Sequence, residues 1–72
     1  MEKYDLNIYM GEEKLASLEV EANNKDTAYR NFVDKQIGDT VQFEEQETLY
    51  IIRMDNVSHI KITQTNEHYT GM

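Results

Sequence analysis

Between Tyr4 and Val20 the chain alternates apolar and polar residues twice, with one break at Gly11-Glu12-Glu13. Tyr4, Leu6, Ile8 and Met10 share one parity, with Asp5, Asn7 and Tyr9 on the other, and Ala16, Leu18 and Val20 alternate with Ser17, Glu19 and Glu21. A period of two marks a half-buried strand, because successive side chains point to opposite faces. Two such runs joined by a short glycine-containing segment predict a β-hairpin. With a three-residue loop, Met10 faces Lys14, Ile8 faces Ala16, Leu6 faces Leu18 and Tyr4 faces Val20. Opposed residues share a face, so one side of the ribbon becomes apolar, and a slip of one residue would destroy the match. The loop departs from the usual preference in one respect, since three-residue hairpin loops favour glycine last.

The segment "NNKDTAYRNFVDKQIGD" changes period. Ala28, Tyr29, Phe32, Val33 and Ile37 form one helical stripe. Asn24 is suited to the N-cap, Asp26 to the positive end of the helix dipole and Lys35 to the negative end. Gly38 can take the left-handed conformation that ends a helix. The pattern predicts a helix of about 13 residues between Asn24 and Gly38. Three further strand patterns follow: "TVQFEEQ", with Val41 and Phe43 on one side, then "TLYIIRM" and "SHIKIT". The expected architecture is α+β, order ββαβββ, an antiparallel sheet of about five strands with one helix packed on one face. Residues 1–63 would form this single domain and residues 64–72, "QTNEHYTGM", a flexible polar tail.

The stretch "YIIRMDNVSHIKI" complicates that picture. Asp55-Asn56 favours a tight turn and would close a hairpin between the last two strands. With a two-residue loop, Ile51 opposes Ile60 and Leu49 opposes Ile62. With a three-residue loop, Tyr50, Ile52, Met54, Ile60 and Ile62 share a face, and Leu49 and Ile51 lie on the reverse. Either register leaves large apolar groups on both faces, and one helix covers one face. Each Leu, Ile or Met left in water forgoes roughly 1.5–3 kcal/mol of burial. The tail, sheet curvature, a second copy of the chain or another protein are the available covers. Tyr9 and Tyr50 suit an interface, where tyrosine is enriched.

Charge narrows the function. Fourteen Asp and Glu oppose seven Lys and Arg among 72 residues, a formal charge of −7. That balance disfavours direct binding to nucleic acid or to an anionic membrane, and favours basic protein partners. No apolar run reaches the about 20 residues of a membrane span. "MEKYDLNIYM" lacks the apolar core of a secretory signal, and the chain has no cysteine. The expected location is the cytoplasm.

No combination of residues predicts catalysis. Ser58 and His59 are adjacent, so on a strand they would point apart and form no dyad. His59, His68, Asp55 and Glu67 match no known metal-ligand spacing, and the three glycines are too scattered to cradle phosphate. No catalytic residue, cofactor site or metal site is assigned, and the expectation is a protein without enzymatic activity. The acidic side chains are more suggestive. Glu19 and Glu21 point the same way on one strand, about 6.6–6.8 Å apart, as do Glu45 and Glu47 if the third strand extends that far. With Glu12, Glu13, Asp39 and Glu44 they could form one acidic face. Such a face would compete for a basic groove built for nucleic acid. The residues assigned to partner binding are therefore Glu12, Glu13, Glu19, Glu21, Glu44, Glu45 and Glu47, with Tyr50, Ile52 and Met54 on the second face of the last hairpin.

The run "LYIIRMDNVSHIKI", the strand–strand–helix–strand order and the acidic balance resemble small proteins encoded by phages and mobile elements of low-GC Gram-positive bacteria. These include anti-CRISPR inhibitors of Cas nucleases. The resemblance covers roughly residues 4 to 63 and contains no diagnostic motif, so no functional residue is carried over. It implies a phage-type inhibitor or binding protein. The expected function is a non-enzymatic protein-binding module that offers an acidic surface to a basic, nucleic-acid-binding partner. The second reading is a homodimer or assembly component joined through the apolar face of the last hairpin.

Overall fold

A computed structural model describes residues 1–65. The elements are β1 (Glu2–Met10), β2 (Glu13–Ala22), α1 (Lys25–Val33), β3 (Gln36–Ile37), β4 (Thr40–Glu45), β5 (Thr48–Arg53), a 3-10 turn (Met54–Asn56) and β6 (His59–Gln64). The class is α+β, as expected. The strands form two antiparallel sheets of three, in the orders β2-β1-β6 and β3-β4-β5, in place of the single sheet expected.

The first hairpin carries the register read from side counting: Tyr4 pairs with Val20, Leu6 with Leu18 and Ile8 with Ala16. Nearer the tip the pairing shifts, so that Tyr9 meets Lys14 and Met10 meets Glu13. The loop is thus two residues long, Gly11-Glu12, and Leu15 is the extra residue of a bulge. Gly11 has φ +63°, which fits a tight turn with glycine in the first loop position. The expected Met10–Lys14 pair is lost to that bulge.

Asn24 caps α1 as expected, its side chain accepting a hydrogen bond from Thr27 N–H at 2.8 Å. The helix stops four residues short of Ile37, because Gly38 (φ +64°) serves the β3–β4 turn and does not cap the helix. Ile37 therefore sits on a strand and is exposed.

β5 and β6 do not pair with each other. β5 pairs with β4, setting Val41 against Ile52 and Phe43 against Tyr50, while β6 pairs with β1, setting Leu6 against Ile62 and Ile8 against Ile60. Asp55-Asn56 lies in the 3-10 turn that carries the chain from one sheet to the other. That crossing is pinned by Met54 N–H to Asp39 O at 2.8 Å, and by Arg53, 3.6 Å from Asp39 and 4.0 Å from Asp55. Its far end is tied to the first hairpin, where Ser58 Oγ accepts from Gly11 N–H at 2.8 Å.

Each sheet turns one face to a shared core. Tyr4, Leu6, Ile8, Ala16 and Leu18 come from one, and Val41, Phe43 and Ile52 from the other. The helix seals them with Ala28 and Phe32, both fully buried. Phe32 meets Phe43 edge-on at 6.3 Å, and Phe43 stacks on Tyr50 at 5.2 Å. Gln64, placed in the tail on sequence grounds, ends β6 and donates to Glu2, and Thr65 N–H donates to Lys3 O. The rest of the expected tail, and with it Glu67 and His68, lies outside the described residues.

The β4–β5 turn carries strain. Gln46 (φ 53°) and Glu47 (φ 67°) both occupy the left-handed region, which two-residue hairpin turns usually give to Asn-Gly. A side chain there costs roughly 1–2 kcal/mol, part of which glycine loses again to unfolded-chain entropy. Glu47→Gly is expected to raise stability by about 0.5–1 kcal/mol, seen as a higher urea midpoint at unchanged slope.

Candidate functional site

The two sheets meet along a seam that they leave open. Among the described residues β2 is an edge strand, and one side of its backbone has no strand partner there. On the other sheet, β3 is only two residues long and pairs with Thr40 and Val41, leaving the Gln42–Glu45 end of β4 uncovered on that side. Between these edges lies a cleft of about 600 Å3, with a smaller one of about 280 Å3 continuing it.

Parity explains what lines it. Leu18 and Val20 point to the core side and Glu19 and Glu21 to the other, so the cleft has an apolar floor and an acidic rim. On β4, Val41 and Phe43 point into the core and Glu45 follows them at the strand's end, where the core runs out. Its carboxylate reaches β2 instead and accepts from Glu19 N–H at 3.2 Å. Among the described residues this is the one hydrogen bond that spans the seam. Glu44 adds a carboxylate from β4, and Asp34 and Lys35 come from the end of the helix. Asp5 lines the smaller cleft. Six carboxylates thus border the seam against one lysine: Asp5, Glu19, Glu21, Asp34, Glu44 and Glu45, with Lys35.

Of the acidic residues singled out from sequence, Glu19, Glu21, Glu44 and Glu45 come together here. Glu12 and Glu13 sit at the tip of the first hairpin, about 20 Å along the strand from Glu19. Glu47 lies in the β4–β5 turn and does not line the cleft. Asp5, Asp34 and Lys35 were not foreseen.

The apolar candidates divide differently. Ile52 is buried, and Tyr50 and Met54 pack against the core. The exposed apolar face belongs to their neighbours. Leu49 and Ile51 are each 58% exposed and Ile37 is 78% exposed, and the pairing puts all three on the outer face of the small sheet. Tyr9 faces outward on the larger sheet, stacked on His59 at 4.8 Å with Lys61 5.0 Å from its ring centre.

Ser58 and His59 do come together, against the argument from strand parity. Ser58 Oγ lies 3.0 Å from His59 Nδ1. Ser58 precedes β6, so strand alternation does not apply to it. Its hydroxyl also lies 3.2 Å from Tyr9 O, and it lines neither cleft. The arrangement ties the crossing to the hairpin tip. Among the described residues no group of three His, Asp or Glu is placed to hold a metal ion. No helix among them is long and apolar enough to cross a membrane.

No protein-family model matches the sequence, and comparison with curated proteins and with solved structures gives no match.

Proposed function

We propose that this chain is a protein-binding module whose acid-lined seam engages a basic, nucleic-acid-binding partner, acting as an inhibitor by occupying the surface that nucleic acid would use. The observation that supports this reading is the convergence of six carboxylates against one lysine on an open cleft. Close like charges raise the local negative potential and attract a cationic surface. The resemblance to phage-type inhibitors is compatible with this reading, and the proposal needs no catalytic group.

The test compares two variants of equal charge change against oligoarginine, followed by fluorescence anisotropy. Glu19→Gln/Glu21→Gln/Glu44→Gln removes charge at the seam, and Glu12→Gln/Glu13→Gln/Glu47→Gln removes it elsewhere. The seam variant is expected to bind about tenfold more weakly, with the control close to the parent. Binding by the parent should also weaken sharply as salt shortens the screening length from about 30 Å to about 8 Å. Equal losses in both variants would show that net charge alone is sensed and would overturn the proposal.

A second reading has its own observation. Leu49 and Ile51 lie exposed two residues apart on the outer face of the small sheet, with Ile37 exposed on the same face two strands away. A homodimer joined there would hold its mass at high salt, unlike a complex made through the acidic seam.

A further inference from the structure

Resting on the acidic-seam reading, we infer that the partner segment binds as an added β-strand along the free edge of β2, and that it is an extended peptide with basic side chains at alternate positions and apolar ones between.

The backbone directions carry the argument. Glu19 N–H points away from β1, since it donates to Glu45 across the seam. In an antiparallel ribbon that makes Glu19 and Asp5 a non-hydrogen-bonded pair, with both residues' backbone groups directed outward. The other side of β1 agrees: Lys3 O and Tyr9 O, of the same parity as Asp5, accept from Thr65 and Ser58 on the β6 side. The alternation then sends the N–H and C=O groups of Ser17 and Glu21 outward as well. β2 thus offers a row of backbone donors and acceptors to the cleft, the template that strand addition uses.

Side-chain parity sets the sequence of the guest. A strand laid beside β2 alternates its side chains between the two faces of the sheet. On one face its neighbours are Glu19 and Glu21, with Glu44 opposite, which selects Lys or Arg. On the other face its neighbours are Leu18, Val20 and Phe43, which selects small or medium apolar residues. The incoming C=O replaces the Glu45 carboxylate on Glu19 N–H, and the released carboxylate meets a cation of the peptide.

The test uses an alternating Lys-Val peptide in three forms: unmodified, N-methylated at every Lys amide, and N-methylated at every Val amide. Charge is identical in all three, and strand pairing with one edge uses amides of one parity only. The unmodified form is expected to bind, one methylated form to lose about tenfold or more in affinity and the other to stay close to the parent. Amide exchange at Ser17 and Glu21 should slow in the complex. If both methylated forms bind like the unmodified one, strand addition is wrong while the acidic seam stands. If the alternating peptide fails and oligoarginine still binds, the inferred recognition pattern is wrong. If neither binds, the acidic-seam reading falls and this inference falls with it.

Discussion

Phe32→Ala is expected to leave the protein largely unfolded at 25 °C. Phe32 is fully buried and is the largest side chain that α1 contributes to the core. It closes the space between the two sheets, meeting Phe43 edge-on while Phe43 stacks on Tyr50. Truncation forfeits the transfer free energy of the ring and leaves a cavity that paired strands collapse into only in part, a cost of about 3–5 kcal/mol. A domain this small commonly has only about 3–5 kcal/mol of stability in total. It has no disulfide to add to that. Circular dichroism in urea gives the readout, with Phe32→Leu as the milder comparison that should fold at a lowered midpoint. A Phe32→Ala protein of parental stability would show that the helix is not the lid of this core.

The second large effect distinguishes two adjacent isoleucines. Ile52→Glu is expected to abolish folding and Ile51→Glu to leave it intact. Ile52 is 8% exposed and opposite Val41, so its replacement loses about 2–5 kcal/mol of packing before the carboxylate's desolvation is counted. Ile51, 58% exposed and opposite Gln42, faces water, and its replacement should cost under about 1 kcal/mol. The same Ile51→Glu variant settles the dimer reading. If the parent sediments as a dimer that this change converts to a monomer, the outer apolar face is an interface; if the parent is a monomer, it is not. Equal destabilisation by both substitutions would contradict the register of β5.

How much of this was legible in the sequence follows from which interactions are local. The pairing of Leu6 with Leu18 could be read because a hairpin brings near neighbours together and side counting leaves one register. The bulge at Leu15 was fainter, marked only by glycine standing first in the loop and by the adjacent apolar pair Leu15-Ala16. Asn24 was legible as a cap because capping is a contact over three residues. The helix's end was not, because Ile37 continues the helical stripe while tertiary context uses it in a strand. The partners of residues 49–62 were harder still. Pairing Ile51 with Ile60 looks as favourable on paper as pairing Ile52 with Val41, and strand order is a non-local choice. The three-residue-loop register nevertheless grouped Tyr50, Ile52, Ile60 and Ile62 on one side and Leu49 and Ile51 on the other, as the structure has them, although in two different sheets. Glu19, Glu21, Glu44 and Glu45 were visible singly. Their meeting depends on strand order, and the same charges help keep the sheets apart, because closing the seam would set like charges side by side.

The claim on which the functional account stands is that β2 keeps an open edge in the free protein. Residue-resolved amide hydrogen exchange by NMR tests it most directly. The account predicts that Leu18 and Val20, which face β1, exchange slowly, while Ser17 and Glu21 on the same strand exchange fast. Protection at Ser17 and Glu21 equal to that of Leu18 and Val20 would mean that the seam is closed, and would contradict the account.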